Sequence, residues 1–216
     1  MVTGDVLILC AAGMLVTAYL VVPQKALFTT IRLFAVQSFL LAIVAATIAF
    51  SEGRHELLVT AALTVLLKTI LIPWFLMRVI DRIGIHREIE PFLNVPASLL
   101  VCLGLTVVGY RVSTGFPEGA QGVSHHLIGV ALSMLLIGLF LMVTRKKAIT
   151  QILALLTVEN AVFLVAVGAT SGMPLVVEFG VSFDVILAVV ILGVLVHRIV
   201  GRFESMDVSR LSKLKG

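Results

Sequence analysis

Apolar residues fill this chain in long, nearly unbroken stretches, unlike the strict alternation of strands or the one-sided stripe of a soluble helix. Windows of about 20 apolar residues, the length that crosses a bilayer core, place helices at 4–22, 26–49, 57–80, 93–110, 124–143, 148–170 and 174–199. Polar residues gather in the joints between them. The pattern predicts an all-α integral membrane protein with about seven transmembrane helices. The first stretch opens Met1-Val2-Thr3-Gly4-Asp5 and lacks the basic region of a cleaved signal, so it is expected to be a retained span.

Composition agrees with the pattern. Of 216 residues, 60% are hydrophobic and 13% charged, with a mean hydropathy of +1.16, which leaves too little polar surface for a soluble domain of this length. The basic residues then suggest an orientation. Lys25, the group Arg78, Arg82 and Arg87, the run Arg145-Lys146-Lys147, and Arg198, Arg202, Arg210, Lys213 and Lys215 alternate with joints that hold only Arg54 and Arg111. The positive-inside rule places the N-terminus outside and the C-terminus in the cytoplasm. The net charge of +4 comes from these flanks; with no extended basic face, the chain is not expected to bind nucleic acid.

The connection between Arg78 and Pro96 interleaves Val79, Ile80, Ile83, Ile85 and Ile89 with charged residues. That pattern suits a segment lying on the membrane surface or against a soluble arm. The tail 201–216 is polar and basic, suited to partners or lipid headgroups.

Cofactor chemistry finds no foothold in the motifs. Cys10 and Cys102 sit in different apolar stretches and read as buried thiols. There is no cysteine set for an iron–sulfur cluster, no glycine-rich phosphate loop and no nucleophile elbow. His125-His126 lack a third ligand and read as solvated residues at a helix entrance rather than a metal site.

Three ionisable residues interrupt the apolar stretches: Glu159, Asp184 and Lys68. A charged residue at the centre of a membrane helix costs roughly 2.5–3.5 kcal/mol on insertion scales, so such residues mark ion and proton pathways. Burial opposes the charged form and an opposite charge nearby restores it, so groups held between the two effects can change protonation when a neighbour moves. Glu159 is the expected main relay carboxylate, Asp184 the second station and Lys68 a cationic modulator. The competing reading for each is a fixed ion pair that braces the bundle. Gln37 is a candidate polar relay, with helix packing as its alternative. Glu178 falls near the outer interface, and Pro73-Trp74 marks a kink or the exit of the third span.

The chain also carries signs of duplication. A shift of 122 lays Lys25-Ala26 on Lys147-Ala148 and Val36-Gln37-Ser38 on Val158-Glu159-Asn160; a shift of 116 lays Lys68 on Asp184 and Arg82-Ile83 on Arg198-Ile199. A three-helix unit that starts outside ends inside, so a second copy keeps its orientation only if one more helix returns the chain. The expected layout is two parallel three-helix units joined by a return helix. Residues 1–92 form the first unit with its cytoplasmic connection, 93–122 the return helix and outer loop, 123–200 the second unit, and 201–216 a cytoplasmic tail. Parallel repeats also occur in transporters.

The segment Arg145-Lys146-Lys147-Ala148-Ile149, followed by Leu155-Leu156-Thr157-Val158-Glu159-Asn160-Ala161, resembles the second helix of subunit K of respiratory complex I and its antiporter relatives. In that family a basic doublet precedes a helix with an intramembrane glutamate and an Asn-Ala pair, and the next helix carries a second acid before a His-Arg end; Asp184 and His197-Arg198 take those places here. The family's glutamate falls at Leu156, so Glu159 is displaced by about one turn on roughly the same face. The second acid is Asp rather than Glu, and its spacing to His197 differs by about one residue. This likeness covers roughly 123–200.

Over the whole chain, Gln24-Lys25-Ala26, Ile31-Arg32-Leu33-Phe34-Ala35-Val36-Gln37-Ser38 and the run from Lys68 to Ile72-Pro73 are similar to component E of hydrogenase-4, a membrane-subunit family of energy-converting nickel–iron hydrogenase and formate hydrogenlyase complexes. The resemblance implies a multi-pass subunit of a prokaryotic inner membrane that contributes to proton or sodium translocation. Its implied partners are antiporter-like and other membrane subunits, lipid, and a hydrophilic hydrogenase arm on the cytoplasmic side. The nickel–iron centre and iron–sulfur clusters would belong to those partners, with no cofactor in this chain. The alternatives are a subunit of a multi-subunit cation/proton antiporter and a purely structural scaffold.

Overall fold

The structure is a computed structural model, and it describes residues 2–53, 55–83, 93–116 and 124–170, all within one compact unit spanning residues 1–180. Every regular element in these segments is helical: α1 Val2–Val21, α2 Leu27–Glu52, α3 His55–Thr64, a π-helical stretch Val65–Leu71, α4 Ile72–Ile83, α5 Val95–Ser113, α6 Ser124–Thr144 and α7 Ala148–Thr170. Helix α3, the π-helical stretch and α4 run on as one span, so among the described residues six helices are long and apolar enough to cross a membrane. The expected seventh span, 174–199, lies outside the described residues. So do Asp184, Glu178, the connection 84–92 and the tail.

The six spans agree with the apolar windows to within a few residues, and local chemistry explains the differences. Helix α2 runs past the expected end at 49 to Glu52, where Gly53 adopts a left-handed φ of 67° and returns its N–H to Ala49 O; glycine reaches that conformation without a Cβ clash. Helix α5 begins at Val95 rather than 93, with Pro96 in its first turn and Asn94 as its extended cap residue. Proline is tolerated there because the first N–H groups of a helix have no intrahelical acceptor.

The third span changes its winding ahead of Pro73. The N–H of Ile72 bonds to Leu67 O, five residues back. A proline nitrogen cannot donate, and its ring crowds the carbonyl four residues earlier; widening the preceding turn relieves that crowding. What precedes Pro73 is therefore a wide π-helical turn, with Lys68 buried in it.

Helices α1, α2, α6 and α7 carry most of the core. Met14, Ala18, Val44, Ala45, Ala131, Met134, Ile137, Ala161 and Leu164 are fully or almost fully buried and belong to one cluster. Small residues permit close approach: a Cβ on Gly109 of α5 would stand 2.5 Å from Ser133 Oγ of α6, and one on Gly138 of α6 would stand 2.6 Å from Val158 Cγ2 of α7. Such contacts are how helices gain van der Waals energy where lipid removes the hydrophobic drive to associate. Helix α5 is the most peripheral of the described spans, with Leu100, Leu103, Val107, Val108 and Val112 exposed.

Arg145, just past α6, is buried and ties this framework together at one end. Its guanidinium donates to Val21 O at 3.0 Å, Val22 O at 2.7 Å and Gln24 O at 3.1 Å, accepting carbonyls at the end of α1. The C-terminal ends of α1 and α6 thus lie together, and the joints 22–26 and 145–147 share one face of the bundle.

Candidate functional site

Near the midpoints of four spans, apolar walls give way to a buried polar chain. Lys68 projects from the π-helical turn of the third span, and its Nζ lies 3.1 Å from Glu159 Oε1 on α7. The pair is almost fully enclosed, at 3% exposure for Lys68 and 7% for Glu159. Two of the residues that interrupt the apolar stretches, 91 positions apart in the chain, thus meet in the bundle.

The contact is an ion pair rather than a directed hydrogen bond. Neither carboxylate oxygen of Glu159 takes a hydrogen bond among the described residues. Lys68 Nζ instead donates to Asn160 Oδ1 at 3.3 Å. Asn160 Nδ2 donates across the bundle to Ser38 Oγ at 3.1 Å and Gln37 Oε1 at 3.4 Å on α2. From Gln37, Nε2 donates to Met14 O and to Thr17 Oγ1 on α1, each at 3.3 Å, and Thr17 Oγ1 donates to Met14 O at 2.6 Å. Lys68, Glu159, Asn160, Gln37, Ser38 and Thr17 are all buried.

Neutral polar residues are cheap in a span and announce little in a sequence, which is why Asn160, Ser38 and Thr17 carry less signal than the charges. A clue was present in the 122-residue shift: it superimposes Ser38 on Asn160, and those two residues are hydrogen-bonded to each other. Thr69, beside Lys68, has a buried hydroxyl without a hydrogen-bond partner among the described residues. Asp184 lies outside those residues, so its place relative to the pair is not described.

Other singled-out residues lie away from this chain. His125 Nδ1 sits 3.0 Å from Ser113 O at the α5–α6 end, and His126 is exposed. Among the described residues no group of three or more His, Cys, Asp or Glu converges. Cys10 and Cys102 are buried free thiols. Arg78 stacks on Trp74, 5.6 Å from the ring centroid, a geometry in which the ring face attracts the cation.

No family model and no solved structure matches the chain. Curated relatives do. The uncharacterized protein Rv0085 of Mycobacterium tuberculosis is 30% identical over 95% of this chain and 94% of its own length. Hydrogenase-4 component E of Escherichia coli K12 is 29% identical over 99% of this chain and the whole of its own, and the protein of the same name from Shigella flexneri matches equally. End-to-end similarity on this scale means that the chain belongs to the family of Rv0085, and it resembles the hydrogenase-4 component E proteins over its full length as well.

Proposed function

We propose that this protein is a membrane subunit of an energy-converting hydrogenase complex of the prokaryotic inner membrane, and that Lys68 and Glu159 are part of its ion-translocating path. The assignment to a hydrogenase complex rests on the full-length similarity to hydrogenase-4 component E, and the likeness of 145–161 to subunit K supports the role in translocation. The observation that carries the mechanism is the ion pair itself, 3.1 Å across and enclosed at mid-span.

Glu159 is the group that changes charge. A proton arriving at its carboxylate neutralises it and removes the attraction to Lys68; departure of that proton restores the pair. Buried polar atoms are almost always hydrogen-bonded, and Glu159 Oε2 and the Thr69 hydroxyl have no such bond among the described residues. They are the atoms through which internal water would deliver the proton. Asp184 is the second station in this scheme. The cytoplasmic face is the one that carries Lys25 and Arg145–Lys147, with the N-terminus outside. Electron transfer, the nickel–iron centre and the iron–sulfur clusters belong to partner subunits.

Glu159→Gln in the intact complex, assayed in sealed vesicles, tests the reading. The amide keeps an oxygen beside Lys68 but cannot take up and release a proton, so assembly should persist while coupled ion transport falls at least tenfold. Normal transport would overturn the relay; failure to assemble would favour the scaffold. A cation/proton antiporter subunit, suggested by the subunit K likeness, would copurify with antiporter subunits and no nickel-bearing partner.

A further inference from the structure

We infer that the amides of Asn160 and Gln37 form a polarised clamp that holds the Lys68 ammonium group in place at mid-membrane, and that this branch does not conduct protons. The inference rests on Glu159 as the group that changes charge; it assigns the opposite duty, constancy, to its partner.

The polarity of the branch is fixed at both ends. An ammonium group has only N–H donors, so beside Lys68 in that form the Asn160 side chain presents its oxygen to Nζ and its nitrogen to α2. The Met14 carbonyl can only accept, so Gln37 must present its nitrogen there and its oxygen to Asn160. Three carbonyl dipoles, from Met14, Gln37 and Asn160, therefore follow one another with their oxygens toward the ammonium group. In a low-dielectric interior such aligned hydrogen bonds polarise one another, and a bond to a charged donor is stronger than one between neutral groups. Both effects strengthen the hold on the Lys68 ammonium group.

Amide N–H groups are not acids in the physiological range, so a proton cannot leave Lys68 through Asn160 and Gln37. The branch is thus a support for charge, closed toward α1 and α2. On the other side of the pair stands Glu159, where both carboxylate oxygens lack a hydrogen bond among the described residues.

The test is a stability cycle on the full chain in its native complex, which does not depend on transport. Asn160→Leu is made in the wild type and in the neutralised pair Lys68→Met/Glu159→Gln, and the thermal midpoint of the assembled subunit is read in detergent. A charge clamp predicts a fall of about 5 °C or more in the wild type and less than about 2 °C in the neutralised background, since no ammonium is left to hold. Equal falls in both backgrounds would reduce Asn160 to a helix–helix bridge and overturn the inference. Asn160→Asp gives a second readout independent of the neutralised pair. It keeps an acceptor toward Lys68 but loses the donor to Ser38 and Gln37, so the clamp predicts better tolerance than Asn160→Leu, and equal damage contradicts it. If Glu159→Gln leaves transport intact while the cycle shows the clamp, the relay fails and the clamp stands; the reverse outcome separates them equally well.

Discussion

Lys68 and Arg145 are both buried cations in this bundle, at 3% and 5% exposure, yet they are held by different chemistry. Three hydrogen bonds of the Arg145 guanidinium run to backbone carbonyls at the end of α1, groups that do not titrate, and the guanidinium itself stays charged in proteins. Lys68 is held by a carboxylate and an amide, and the carboxylate can lose its charge. One arrangement is a fixed staple at the end of the helices. The other contains a member that can change state, and it stands at mid-span, where a change of charge has the largest electrostatic consequence.

The largest expected effect comes from breaking the central pair. Lys68→Met leaves Glu159 enclosed without its cation, a loss of about 3–5 kcal/mol if the carboxylate stays ionised. Adding Glu159→Gln should recover most of that loss, because a matched removal of both charges leaves no uncompensated ion. Denaturation of the single and double variants in the same detergent measures the recovery. If the double variant is as unstable as Lys68→Met alone, the pair is not the electrostatic unit that its geometry indicates.

Arg145→Met should cost less, about 2 kcal/mol, since it strands neutral carbonyls rather than a buried ion. Those carbonyls sit at the end of the bundle, where rearrangement toward water limits the penalty. No neutralising second substitution is expected to repair it, and Arg145→Lys should repair it only partly because an ammonium lacks the planar fork that reaches several carbonyls. Protease resistance of the joint 22–26, compared between these variants, reports the loss directly. A full rescue by lysine would mean that charge alone, not the set of directed bonds, fastens α1 to α6.

The same contrast explains what could be read in the sequence. Lys68 and Glu159 stood out because each interrupts an apolar run, and an interruption is costly wherever the helix packs. Which carboxylate meets Lys68 was not legible: spans apolar on all sides do not reveal which faces meet. Arg145 was hidden for the opposite reason. It lies in the run Arg145-Lys146-Lys147, which reads as a hydrated topological signal, and nothing in that run distinguishes the buried member from its neighbours. The six described spans were legible to within a few residues because length and apolarity suffice to define them. The π-helical turn had a visible cause in Pro73, but the sequence could not separate a widened turn from a simple bend.

The smallest effect expected tests how far the staple extends. Gln151, in the first turns of α7, donates from Nε2 to the backbone oxygen of Arg145 at 2.9 Å and is itself exposed. Its bond fixes the joint that aims the guanidinium, but water can replace an exposed donor. Gln151→Leu should therefore lower stability by only about 0.5–1 kcal/mol and leave the central pair untouched. In a double-mutant cycle with Arg145→Met its effect should shrink, since a joint that no longer aims anything has less to lose; in a cycle with Lys68→Met/Glu159→Gln the effects should add, as they do for separate sites. Coupling to the central pair instead would mean that the end of the bundle and its charged centre move as one element.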